Sequence, residues 1–227
     1  MKRRQANLIL TSLALCALLG GATVSLADTA NVTVDPGLPW IGYMNVFDLP
    51  VGSGPYLWGS PWGTADLPAV FTGNQLKLSP NTNVYNPADP YWTNPDGSGA
   101  KWMNANFYVE DTSLVGKTIA FSGMTLANTF VPGYSSQAFI KVLDPAQGWI
   151  TVASAYAPLT GGQPFAVSLT VDNTPGLVPQ YGFMTDGADA NPATVDLLGF
   201  ALVAPIPEPS SLVLGLGFLG ALICRRR

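Results

Sequence analysis

The 227-residue chain contains no histidine, and its two cysteines, Cys16 and Cys224, lie in apolar segments at its two ends. The region between them can therefore form no internal disulfide. The lack of histidine and cysteine there excludes Cys or His nucleophile–base catalysis and the usual zinc, copper and haem sites. The chain also has no phosphate-binding glycine loop, no nucleophile elbow and no metal-hydrolase motif.

Basic residues are scarce between the two ends. From residue 28 to residue 205 the chain has four lysines and no arginine against thirteen acidic residues, a net charge of −9. Such a domain repels nucleic acid and anionic lipid, so we expect neither as a partner. The charge is compatible with calcium and with neutral glycans, but acidic surfaces also serve solubility alone.

The N-terminus has the organisation of a secretory signal peptide. Lys2, Arg3 and Arg4 precede an apolar stretch over residues 8–19, and Ser25-Leu26-Ala27 ends it with small residues at the positions that signal peptidase reads. We therefore expect residues 1–27 to form a signal helix that is removed between Ala27 and Asp28. An uncleaved membrane anchor is the alternative.

The C-terminus combines three ordered features. A Pro207-Glu208-Pro209 tripeptide precedes fifteen uncharged residues, 210–224, and the chain closes with Arg225, Arg226 and Arg227. A helix of that length extends about 22 Å, which is short of the ~30 Å hydrocarbon core, so it is a marginal transmembrane helix. The terminal arginines would stay cytoplasmic.

These C-terminal residues resemble the PEP-CTERM sorting signal of bacteria. The resemblance implies that residues 206–227 are recognised by an exosortase, a membrane transpeptidase that cuts near the tripeptide. It also implies export across the inner membrane of a Gram-negative-type bacterium and transient anchoring there. Delivery to the cell surface or to the extracellular matrix would follow. An ordinary tail anchor is the alternative.

Residues 28–205 form one domain by size, and their patterning predicts an all-β fold. Along residues 101–109, Met103, Ala105, Phe107 and Val109 alternate with Trp102, Asn104, Asn106 and Tyr108. Further strands are predicted at 117–126, 137–143, 150–155, 165–171, 180–185 and 195–203. No segment between the two ends shows helical periodicity, so we expect an antiparallel β-sandwich.

The polar face of the 101–109 strand is the candidate glycan site. Aromatic rings at Trp102 and Tyr108 flank the amides of Asn104 and Asn106. Rings can stack on the apolar face of a sugar while amides bond to its hydroxyl groups. The alternative is a half-exposed strand face that the preceding Asn-rich loop covers. Tryptophans concentrated in the first half of the chain suggest either a glycan surface or a local core.

The strand order from residue 101 to residue 203 is similar to the galactose-binding-like jelly roll of many carbohydrate-binding modules. The similarity includes Gly116-Lys117-Thr118 before a long strand and Tyr181-Gly182-Phe183 within a late one. It implies a glycan site on loops or on a concave sheet, with calcium as a candidate loop ligand. Asp186 and Asp189 are the calcium candidates, and a plain turn is the alternative.

The stretch 81–99 is a second place where oxygen ligands are dense. It carries four asparagines and two aspartates, which could hold calcium or could simply make turns. No other cofactor is expected.

Catalysis is not expected from the carboxylates that the sequence offers. Glu110 and Asp111 are neighbours on a strand and point to opposite faces, so they are a poor glycosidase pair and more naturally begin a turn. We therefore expect a non-catalytic exported surface or matrix protein that contacts exopolysaccharide. The alternatives are a self-associating coat or matrix protein and a secreted polysaccharide-active enzyme.

Overall fold

The computed structural model of the protein describes residues 28–206, of which 52% lie in strands and 6% in short helices. The prediction of an all-β sandwich is confirmed at this level. The signal helix and the sorting helix lie outside the described residues. None of the short helices within residues 28–206 combines the length and the apolar character needed to cross a membrane.

Twelve strands are present in the described part of the chain. They are β1 (Thr29–Thr33), β2 (Ile41–Asp48), β3 (Tyr56–Trp62), β4 (Ala69–Thr72), β5 (Gln75–Leu78), β6 (Lys101–Glu110), β7 (Thr118–Asn128), β8 (Ser135–Asp144), β9 (Ile150–Pro158), β10 (Gln163–Thr170), β11 (Val178–Ala188) and β12 (Ala201–Ala204). Three 3₁₀ helices, Thr112–Leu114, Pro145–Gln147 and Val195–Leu198, connect some of them.

The strands form two six-stranded sheets. The front sheet has the order β3-β2-β6-β11-β8-β9 and is antiparallel throughout. The back sheet is centred on β7, which pairs with β10 along one edge and with β1 and then β12 along the other. Strands β5 and β4 complete it beyond β12. β6 and β11 therefore lie at the middle of the front sheet.

The core lies between the two sheets and is rich in aromatic rings. Met103, Ala105, Phe107 and Val109 all point into it from β6, as their alternation predicts. Phe121 of the back sheet meets Phe183 of the front sheet edge-on at 5.3 Å, so rings from both layers interdigitate. Since this face of β6 is buried, the residues that alternate with it must lie on the outer face of the front sheet.

Two details differ from the predictions. The predicted strand at 195–203 is instead the 3₁₀ helix Val195–Leu198 followed by the short strand Ala201–Ala204. Gly199 separates them with a φ of 82°, and a side chain there would lie 2.1 Å from the Thr129 carbonyl oxygen, so the chain must turn at a glycine. The sandwich is also not wholly antiparallel, because β1 runs parallel to β7.

Candidate functional site

The outer face of the front sheet carries the four residues of the predicted glycan face. Trp102, Asn104, Asn106 and Tyr108 all lie on it, since their neighbours along β6 face the core. The register places Asn45 of β2 opposite Asn104 on one side. On the other side Asp186 of β11 lies opposite the same asparagine. The face is therefore polar along its central line.

Asp186 anchors one end of a hydrogen-bond chain on this face. Its Oδ1 accepts from Trp102 Nε1 at 2.8 Å and from Asn104 Nδ2 at 2.7 Å. The Oδ1 of Asn104 in turn accepts from Asn45 Nδ2 at 3.1 Å. One carboxylate thus fixes the rotamers of an indole and an amide, and that amide fixes a second amide.

Lys141 of β8 anchors the other end of the chain. Its Nζ donates to Asn106 Oδ1 at 2.7 Å, and Asn106 Nδ2 donates to Asn104 Oδ1 at 2.8 Å. Hydrogen bonds therefore run in one direction from the ammonium group to the Asp186 carboxylate. Such a charge-terminated chain is stronger than isolated amide contacts because each link polarises the next.

Burial shifts both charged groups toward neutrality. It lowers the pKa of Lys141 to about 8, against the opposing effect of the nearby Asp186 carboxylate. Burial also raises the pKa of Asp186, while the hydrogen bonds from Asn104 and Trp102 and the Lys141 charge act in the opposite direction. At pH 7 Lys141 keeps its proton.

Three of the four predicted residues form a floor and present little surface. Asn104, Asn106 and Tyr108 are only 6%, 3% and 7% exposed. Trp102 is half-buried and stacks on Phe47 at 4.1 Å. The structure thus brings the four residues together as predicted. Their main contacts are with one another and with the neighbouring strands.

Above this floor lies a groove made of two joined hollows of about 640 and 690 Å³. Both hollows are lined by Asn45, Lys141 and Thr151, so they meet over the middle of the hydrogen-bond chain. The first extends toward Glu110 and the second toward Trp102. Because β6 rises ~3.3 Å per residue, these two ends are about 26 Å apart.

Exposed aromatic rings stand on both sides of the groove. Tyr56 of β3 is 56% exposed on one side, and Trp149 and Tyr156 are 58% and 46% exposed on the other. Large rings exposed over a polar floor suit the binding of a sugar. The aromatic ring can cover the C–H face of the sugar while the hydroxyl groups of the sugar reach the polar floor.

Trp149 is one of the functional candidates that the sequence analysis missed, together with Tyr56, Tyr156 and Lys141. It follows Gly148 and adopts a left-handed backbone with φ of 66°, alone among the described non-glycine residues. A bulky residue in this region is strained by about 1–3 kcal/mol, and such strain concentrates at functional sites. The only signal for Trp149 in the sequence was an aromatic residue directly after a turn that contains Pro145 and Gly148.

The tryptophans of the first half of the chain have mainly structural positions. Trp40 stacks on Phe107 at 4.8 Å, and Trp58 and Trp92 pack against the core and meet each other edge-on at 6.1 Å. Trp62 also packs against the core. The local-core explanation therefore accounts for these four tryptophans. The fifth tryptophan of the first half, Trp102, lines the groove.

The groove carboxylates are far apart. Gln180 lies opposite Glu110 and Asp186 lies opposite Asn104, so six residues of strand, about 20 Å, separate Glu110 from Asp186. Glycosidase pairs stand about 5–9.5 Å apart. Asp111 leaves the strand and caps the helix Thr112–Leu114 through Ser113 N at 2.9 Å, so this carboxylate does begin a turn.

The Asn-rich loop uses many of its side-chain oxygens for its own turns. Asn81, Asn86, Asp89 and Asp96 each accept a hydrogen bond from the backbone N–H two residues later. This is the ligand-free explanation offered for asparagine and aspartate in turns. Within residues 28–206, no group of three or more acidic, histidine or cysteine side chains comes together.

The two calcium candidates differ in their surroundings. Asp186 is engaged in the hydrogen-bond chain on the groove floor. Asp189 follows the end of β11, is 1% exposed, and neither of its carboxylate oxygens has a hydrogen-bond partner. Burial raises the pKa of Asp189 to about 7. The structure therefore does not combine the two into one site.

The candidate sorting residues Pro207, Glu208, Pro209, Arg225, Arg226 and Arg227 lie outside the described residues, as does Ala27 on one side of the predicted cleavage. Asp28 on the other side is the first residue that the structure describes. In comparisons with family models, with curated proteins and with solved structures, nothing matches this chain.

Proposed function

We propose that this protein is a non-catalytic, exported surface or matrix protein that contacts exopolysaccharide through the groove of the front sheet. The observation that carries the proposal is the combination of exposed rings at Tyr56, Trp149 and Tyr156 with a fixed polar floor. Pre-positioned floor groups bind a ligand without the entropic cost of ordering them first.

The floor offers both a donor and an acceptor at its centre. The ammonium group of Lys141 has three protons, and its one oxygen partner is Asn106 Oδ1. Asp186 uses only Oδ1 in its bonds to Trp102 and Asn104, which leaves Oδ2 as an acceptor. A sugar hydroxyl both donates and accepts, so adjacent hydroxyl groups match this pair.

Charge favours a neutral glycan over an anionic one. The domain carries −9 overall, and within the groove the single lysine, Lys141, is balanced by Asp186 with Glu110 at the far end. An anionic polymer would meet repulsion on approach and find no unbalanced cation on arrival.

The finer fold assignment is part of the proposal. From β6 to β12 the chain passes between the front and back sheets at every step except the β8–β9 hairpin. This alternation supports a jelly-roll-like sandwich of the galactose-binding-like kind, with the groove on the outer face of its front sheet.

The route to the cell surface rests on the two ends of the chain. We propose that signal peptidase removes residues 1–27 and that an exosortase-type transpeptidase cuts near Pro207-Glu208-Pro209. The protein would cross the inner membrane, stay briefly anchored by residues 210–224, and then reach the surface or matrix of a Gram-negative-type bacterium. Nucleic acid is not among the proposed partners.

Affinity electrophoresis of the full chain in gels that contain neutral or carboxymethylated polysaccharides tests the glycan proposal. We expect retardation by a neutral polymer, weaker retardation by its carboxymethylated form, and loss of retardation in Tyr56→Ala and Trp102→Ala. Leu197→Ala is the matched control, because Leu197 is exposed and lies outside the groove. A chain that migrates identically in every gel would refute the proposal.

A second candidate, self-association as a coat or matrix protein, is favoured by the edge strand β9. This strand, Ile150–Pro158, carries no charge, and Ile150 and Val152 are 50% and 43% exposed. Uncharged edge strands are sites of strand pairing. Sedimentation would show oligomers whose size increases with protein concentration, and the Val152→Lys variant should remain a monomer. A monomer at all concentrations would remove this candidate.

A further inference from the structure

The front sheet carries charged residues on its inner strands and none on its two edges. Every inner strand has at least one: Asp48 in β2, Lys101 and Glu110 in β6, Asp186 in β11, and Lys141 and Asp144 in β8. The edge strands β3, Tyr56–Trp62, and β9, Ile150–Pro158, have no charged residue. Charges on edge strands normally prevent pairing with another chain, so this sheet has the reverse distribution.

Both edges are free in the single chain. Within residues 28–206, β3 pairs with β2 alone and β9 pairs with β8 alone. No turn or loop of these residues makes a backbone hydrogen bond to either edge strand. The outward N–H and C=O groups of β3 and β9 are therefore available to a strand of another chain.

Each edge strand also has one irregularity, and the residue at that point is apolar and exposed. The register of β3 with β2 skips Leu57, and the register of β9 with β8 skips Val152. Leu57 is 37% exposed and Val152 is 43% exposed. A bulged residue has no partner in its own sheet, so both edges present an unpaired apolar residue to solvent.

The two edges run in opposite directions. The front sheet has six strands, and every neighbouring pair in it is antiparallel. A second copy placed beside the first in the same orientation would therefore bring its β3 antiparallel to β9 of the first copy. This contact joins two different surfaces, so each copy that uses one edge keeps the other edge free.

The prolines of the two strands limit the register of such a contact. Pro61 and Pro158 lack an N–H and lie at or next to the C-terminal ends of their strands. When Leu57 faces Val152 of the neighbouring copy, residues 56–59 lie opposite residues 150–153, and both prolines fall beyond the paired segment. The paired segment is short, so we expect weak and reversible association.

We infer that copies of this protein join through β3 of one copy and β9 of the next, so that repeated contacts build an open assembly with a continuous front sheet. The twist of the sheet makes this assembly helical. The grooves of successive copies lie on the same side, with Tyr56 of one copy and Trp149 of the next flanking each junction. The inference rests on the proposed self-association and identifies its two surfaces.

Sedimentation of edge variants of the full chain, separately and mixed, tests the inference. Leu57→Lys should block β3 and Val152→Lys should block β9, so each variant alone should be a monomer where the unsubstituted chain forms oligomers. Their equimolar mixture should form a complex of twice the monomer mass and nothing larger, because each variant keeps one free edge. Salt of about 0.15 M screens the repulsion between acidic copies.

Three controls accompany these variants. The double variant Leu57→Lys/Val152→Lys should join neither single variant, and it measures any association through other parts of the chain. Leu197→Lys, an exposed change outside both edges, should assemble like the unsubstituted chain. Leu57→Glu and Val152→Glu should repeat the result of the lysine pair, which excludes attraction between a new lysine and the acidic surface. Unchanged unfolding temperatures would show that the variants fold.

Two results would overturn the inference and leave the proposed self-association in place: dimers of Leu57→Lys alone, which indicate a closed β9–β9 contact, or a mixture of the single variants that stays monomeric. An unsubstituted chain that is monomeric at every concentration would overturn both. Neither Leu57 nor Val152 lines the groove, so both variants should keep their retardation by a neutral glycan. The glycan proposal is therefore tested separately.

Discussion

At the scale of single residues, Trp149 and Lys141 carry the most chemistry in the groove. Trp149 holds a large exposed ring on a left-handed backbone, which costs stability without any visible packing benefit. Lys141 places a protonated amine at the meeting point of the two hollows. Each therefore yields a test that separates function from folding.

Trp149→Gly should stabilise the protein and weaken its glycan binding. Glycine adopts a φ of 66° without strain, so we expect the free energy of unfolding to rise by about 1 kcal/mol. Loss of the ring should reduce affinity about tenfold, since an aromatic contact contributes about 1–1.5 kcal/mol. Urea unfolding and glycan titration measure the two effects. A variant that binds as well as the original chain would exclude Trp149 from the site.

Lys141 gives the groove a pH dependence. Because its pKa is lowered to about 8, the amine is charged below that pH and becomes neutral above it. Glycan affinity should therefore be constant from pH 6 to pH 7 and fall between pH 8 and pH 9.5. Titrations at these pH values check this, with Lys141→Gln as a control whose affinity should not change across the range. Equal pH profiles for the two proteins would show that Lys141 is not the titrating group.

At the scale of elements, β6, β11 and β8 work as one unit because the hydrogen-bond chain crosses all three. Asn104 is its hub, with bonds to Asp186, Asn45 and Asn106. Asn104→Ala would leave buried partners unpaired, so we expect a loss of about 1–3 kcal/mol in the free energy of unfolding. Gln137→Ala, a half-buried change on the same face, should cost less than half as much. Equal losses of unfolding free energy in the two variants would mean that the hydrogen-bond chain adds no stability.

The strands also show which parts of the fold and of the groove could be predicted from the sequence. Alternation along β6 identified both the core face and the polar face, because a central strand imposes its period of two on every residue. The groove walls could not be predicted, since Tyr56 and Trp149 come from opposite edges of the sheet and meet only through strand order. The break at Gly199 was hidden because apolar residues continue through it.

At the scale of the whole molecule, the proposal of an exported protein rests on the acidic β-sandwich and on the charged, apolar sequences at the two ends of the chain. The processing claim is open to direct measurement. The intact mass of protein extracted from the cell surface should correspond to a chain that starts at Asp28 and lacks Arg225, Arg226 and Arg227. A mass that retains the three arginines would leave a plain tail anchor in place of a sorted product.

The central claim is that the groove of the front sheet binds a neutral glycan, and calorimetric titration tests it most directly. The full chain would be titrated with fragments of the neutral exopolysaccharide of its own producing bacterium, alongside Tyr56→Ala/Trp149→Ala, which removes one ring from each wall. We expect saturable binding by the full chain and at least tenfold weaker binding by the double variant at unchanged unfolding temperature. Absence of binding, or equal affinity for both proteins, would contradict the account.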